Sequence, residues 1–125
     1  MSAVAARLVY DSARSWAVVG ARAALPDGRS LVFCGGGLTV DLVVHTGGDS
    51  WGYHYGQVIR TADERPVVGA TVALDAGPAV TTDDCGQFTL STAEPRAARV
   101  LRVATAGGLS LDLDLPGCDS ASDVT

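Results

Sequence analysis

Lysine is missing from this chain: all nine basic residues are arginine, a bias that fits GC-rich coding. Basic charge is scarce overall, with 14 Asp and Glu giving a formal net charge of −5. A protein that neutralises phosphates needs a basic stripe, so the acidity argues against nucleic acid as the main partner. Cysteine is sparse and odd in number (Cys34, Cys85 and Cys118), with no Cys-x-x-Cys spacing. In a cytosolic chain this reads as reduced thiols, Cys34 serving as a small hydrophobe in an apolar strand. No apolar run approaches the ~20 residues that span a bilayer, so no membrane association is expected. The opening Met1-Ser2-Ala3-Val4-Ala5-Ala6-Arg7 lacks a basic n-region, and the charges of Asp11 and Arg14 come too soon for an apolar signal core. The expectation is a cytoplasmic protein without a signal peptide. Missing as well are a Gly-x-Ser-x-Gly elbow, a phosphate-cradling loop and a His-Glu-x-x-His pair, which closes the commoner catalytic routes.

What remains is ordinary globular material. The 125 residues, 47% hydrophobic, fit one domain with a single core. Strict alternation marks its strands. Leu109, Leu111, Leu113 and Leu115 interleave with Ser110, Asp112 and Asp114, and Leu38, Val40, Leu42 and Val44 do the same against Thr39, Asp41, Val43 and His45. Further strands are predicted over 30–34, Tyr53 to Arg60, 70–75, 87–90 and 99–103. Between them stand Pro26-Asp27-Gly28, Gly35-Gly36-Gly37, Gly47-Gly48-Asp49, Asp83-Asp84-Cys85-Gly86 and Gly107-Gly108, all turn chemistry. Short strands so punctuated predict an all-β antiparallel sandwich and not parallel βαβ units. The first 24 residues fit strands at 7–10 and 17–24, although Val4, Leu8, Trp16 and Val19 also fall near helical spacing. The domain is expected to span 1–116, with 117–125 as a flexible tail.

One stretch is more specific. Gly56-Gln57-Val58 leads to Pro66-Val67-Val68-Gly69-Ala70-Thr71-Val72, and then to Thr82-Asp83-Asp84-Cys85-Gly86-Gln87-Phe88. This resembles the carboxypeptidase regulatory-like domain, whose signature joins a Gly-x-Val strand, a Pro-x-x-Gly-Ala-x-Val turn and strand, and a Thr-Asp-x-x-Gly-x-Phe hairpin. The resemblance covers 56–115 and implies an immunoglobulin-like (prealbumin-type) sandwich of about seven to nine strands. In such a hairpin Asp83 would bond the backbone two residues on, Gly86 would turn left-handed and Phe88 would enter the core. A second resemblance, carried by Arg7-Leu8-Val9-Tyr10-Asp11-Ser12-Ala13, Leu31-Val32-Phe33 and Leu38 to Val44, is to small stand-alone actinobacterial proteins with this domain. Members of that group are often encoded beside extracytoplasmic-function sigma factors, which implies a sigma factor or associated regulator as partner. This chain departs from the group at Asp49-Ser50-Trp51-Gly52-Tyr53-His54-Tyr55, where a plainer polar loop is expected.

That departure holds the candidate binding residues, Trp51, Tyr53, His54 and Tyr55. Large rigid rings with polar tips can anchor a protein or stack on a sugar. The plainer reading is that they cover the end of the sandwich core. On a strand Tyr53, Tyr55 and Gln57 share one face and His54 and Val58 the other. His45 and His54 with Asp41, Asp49, Asp83 or Asp84 could hold a metal, but nothing in the spacing demands one, and neither metal nor other cofactor is expected. Solvated side chains are the plainer reading of both histidines. Cys85 with a histidine would be a minimal nucleophile pair, yet neither histidine is near in sequence and no orienting group is evident. The Tyr-Arg-Gly-Ser ending of transthyretin-like hydrolases is missing too. Arg96, Arg99 and Arg102 read as ordinary surface charge. The sequence thus points to a non-catalytic protein-interaction module, or alternatively to a carbohydrate or small-ligand binder using residues 51–55.

Overall fold

A computed structural model describes residues 3–12, 28–46, 52–75, 77–92 and 100–116. It contains ten strands: β1 (Val4–Ala5), β2 (Arg7–Asp11), β3 (Gly28–Gly35), β4 (Leu38–Thr46), β5 (Gly52–Arg60), β6 (Thr71–Leu74), β7 (Ala79–Thr81), β8 (Gln87–Thr92), β9 (Val100–Ala104) and β10 (Ser110–Asp114). They form two five-stranded sheets, ordered β1-β10-β9-β6-β7 and β2-β3-β4-β5-β8. Every pairing between the described strands is antiparallel except that of β1 with β10. The fold is therefore the all-β sandwich that alternation predicts. The count exceeds the expected seven to nine because β1 and β7, two and three residues long, are too short to show a period. The expected strand at 17–24, its helical alternative and the tail at 117–125 lie outside the described residues.

The period-2 pattern assigns the core. Leu38, Val40, Leu42 and Val44 of β4 are buried, as are Leu111 and Leu113 of β10, Leu101 and Val103 of β9, and Phe88 and Leu90 of β8. Each such side chain contributes roughly 1.5–3 kcal/mol by leaving water. The β4–β5 ladder runs unbroken from Leu38↔Arg60 to Thr46↔Gly52, which fixes the face of every β5 residue. At one end of the core Asp11, 4% exposed, receives a two-pronged pair from Arg29, whose Nε and Nη2 lie 2.9 and 2.7 Å from its carboxylate oxygens.

The hairpin leading into β8 follows the expected chemistry. Asp83 Oδ1 accepts from the backbone N–H of Cys85 and of Gln87, each at 2.9 Å. Gly86 has a φ of 75°, a left-handed conformation that side-chain-bearing residues resist. A Cβ there would stand 2.5 Å from the Val58 carbonyl oxygen, so both conformation and space require glycine. Phe88 enters the core, 4% exposed.

Candidate functional site

The outward faces of β4, β5 and β8 carry two of the candidate residues, Tyr53 and Tyr55. Strand register aligns His45 with Tyr53 and Ser91, Val43 with Tyr55 and Thr89, and Asp41 with Gln57 and Gln87. The rings form a column: His45 and Tyr53 centroids are 4.9 Å apart at 33°, and those of Tyr53 and Tyr55 are 5.6 Å apart at 35°. These tilted spacings fall in the favourable range for aromatic pairs. Tyr55 is 40% exposed at the end of the column, and Tyr53 is half-buried between its neighbours.

Beside Tyr55 lies a shallow trough of about 380 Å³, walled by Asp41, Val43, Gln57, Gln87 and Thr89. Gly56 makes part of its floor. A Cβ at Gly56 would overlap the Asp41 carbonyl oxygen, so glycine is what lets β4 and β5 approach here. Gln57 is held in place by its Nε2, which donates to the Cys85 carbonyl at 2.7 Å. The wall thus offers a carboxylate, two amides and an aromatic edge, groups suited to hydrogen bonding and stacking.

His54 does not belong to that surface. It projects inward between Val44 and Leu90, 1% exposed, and among the described residues its Nδ1 has no hydrogen-bond partner. Burial pushes its imidazole pKa below the ordinary 6.5, while the nearby Asp75 carboxylate acts the other way. The expectation of a solvated side chain is therefore wrong for His54. Alternation, which placed Tyr53 and Tyr55 outward, places His54 on the opposite face. It also separates His54 from His45, whose ring lies in the outer column, so the two imidazoles cannot converge on one ion. Among the described residues no group of three His, Cys, Asp or Glu side chains is placed to hold a metal.

Trp51 lies outside the described residues. Cys85 is exposed in its turn, whereas Cys34 is half-buried, its Sγ 3.7 Å from Thr39 Oγ1. Arg102 pairs with Asp112 of the neighbouring strand at 2.8 Å, as surface charge does; Arg96 and Arg99 are outside the described residues. Sequence reasoning missed Val43, Gln87 and Thr89 as trough residues, because their nearness to Tyr55 depends on cross-strand register. Among the described residues no helix is long and apolar enough to cross a membrane. Comparison of the chain with family models, with curated proteins and with solved structures finds no match to any of them.

Proposed function

We propose that this domain is a non-catalytic protein-binding module acting in the cytoplasm, in a regulatory system linked to a sigma factor. The observation that carries the binding reading is the outer column of His45, Tyr53 and Tyr55 standing beside a preformed trough. Aromatic rings with polar tips are enriched at the centres of protein interfaces, where they supply contact area at little entropic cost. The regulatory context comes from the resemblance to carboxypeptidase regulatory-like domains and to stand-alone proteins encoded near such factors, and it names the partner class to try first. Calorimetric titration against the extracytoplasmic-function sigma factors of the host is the direct test. Tyr55→Ala is expected to weaken a complex by about 1–2 kcal/mol, roughly 5- to 30-fold, with the thermal transition unchanged. Trp51→Ala is expected to act in the same direction. Equal affinity of wild type and Tyr55→Ala removes this face from the account.

A second reading has its own support. An exposed tyrosine beside Asp41, Gln57 and Gln87 also resembles a sugar platform, in which a ring stacks and planar polar groups bond hydroxyls. Intrinsic-fluorescence titration with glycans separates the two, since only the sugar reading expects saturable quenching that Tyr55→Ala abolishes.

A further inference from the structure

Each sheet of a sandwich has two edge strands, and an unprotected edge is a template for another strand. Among the described residues three of the four edges are blunted. β1 and β7 are two and three residues long, and β2 is interrupted by a bulge between Leu8 and Tyr10. β8 is different: six residues in unbroken register with β5, without proline and without a charged side chain.

Its free backbone groups can be assigned from the ladder. Val58 N–H donates to Gly86 O at 2.8 Å, so every second residue after Gly86, namely Phe88 and Leu90, turns its polar groups toward β5. Gln87, Thr89 and Ser91 therefore face outward. Gln87 is already capped, its N–H on Asp83 Oδ1 at 2.9 Å and its carbonyl receiving Asp83 N–H at 3.1 Å. Thr89 and Ser91 are exposed, and among the described residues nothing pairs with their outward N–H and C=O groups.

We propose that β8 pairs antiparallel with β8 of a second copy of this chain, joining two sheets into one continuous ten-stranded sheet. The Asp83 cap selects the register. Centring the two-fold axis on Leu90 sets each Thr89 against the other copy's Ser91. Both pairs then exchange two hydrogen bonds, four in all, which uses every free outward group among the described residues of β8. Centring it on Thr89 would set Ser91 against the capped Gln87 and leave its groups unpaired. The side chains agree with this register. No like charges face each other, and the two Leu90 side chains, already turned to the core, come into contact. On the outer face the small Thr89 and Ser91 continue the rows of Tyr55 and Tyr53 from one copy into the other. A second copy is thus the occupant this neutral, self-complementary edge fits. A single strand pair buries little area, so the dimer is expected to be weak. Because each copy carries a net charge of −5, added salt should tighten it by screening repulsion.

Sedimentation velocity under reducing conditions, between about 10 µM and about 1 mM, tests this range of weak association. A dimer that strengthens with concentration and salt is expected. Thr89→Pro should abolish it while sparing the monomer, because that N–H makes no bond to β5. Ser91→Lys, which keeps every backbone donor, should weaken it at least 10-fold, and its thermal transition at high dilution controls for folding. Amide exchange gives the register: Thr89 and Ser91 amides should gain protection with concentration, whereas Phe88 and Leu90 are protected throughout. A chain that stays monomeric at the highest concentration overturns the proposal. So does a dimer that survives Thr89→Pro with those two amides exchanging freely, or edge protection that arises only when a foreign peptide is added.

Discussion

His54 shows how one side chain can make the fold sensitive to pH. Its imidazole is buried, and burial holds its pKa in the fold below the ordinary 6.5. The unfolded chain therefore binds a proton more readily than the folded one. Stability is fully present above about pH 6.5 and declines as the pH falls toward the folded-state pKa. Urea midpoints of the wild type should drop between about pH 7 and pH 5. His54→Gln, which fills the site without titrating, should flatten that stretch of the curve. An unchanged slope would mean that another group sets it.

At the scale of the strand, close approach matters more than propensity. Gly56 sits where the β4 backbone leaves no room for a Cβ, so Gly56→Ala must push β4 and β5 apart or unhook their ladder. A loss of on the order of 3 kcal/mol is expected, read as a lower denaturant midpoint with the slope preserved. The strands themselves were legible because alternation over four leucines in 109–115, or four apolar residues in 38–44, has no helical equivalent. The faces of Tyr53, His54 and Tyr55 were legible for the same reason. The trough was not, since Asp41 and Gln87 meet only after β5 has threaded between their strands. The Asp11–Arg29 pair was hidden likewise, its members being 18 positions apart with no periodic signal to join them. The β8 edge needed the ladder's parity, which depends on a hydrogen bond from Val58 that no composition reveals.

Across the molecule, one core is shared by both sheets, because Leu31, Phe33 and Val40 of the second sheet are buried together with Leu101, Val103 and Leu111 of the first. Neither sheet can keep its inner face dry alone, so unfolding should be a single cooperative event. Leu111→Ala, at a fully buried position, is expected to cost about 3 kcal/mol. Native-state amide exchange should show that loss equally in β4 and in β9; a loss confined to the first sheet would show that the sheets open independently. The start of the described chain bears on the same unity. β1 lies along β10 in one sheet, and one residue later β2 lies along β3 in the other, with Ala6 N–H bonded to Asp112 O at the crossing. A Cβ at Gly35 would stand only 3.0 Å from Ala6 Cα, so the two sheets close tightly beneath that crossing. Under mechanical load these few residues act as a clasp. Tension applied through Ala3 is borne by both layers at once, and the sandwich should yield by losing that clasp before either layer peels from the other.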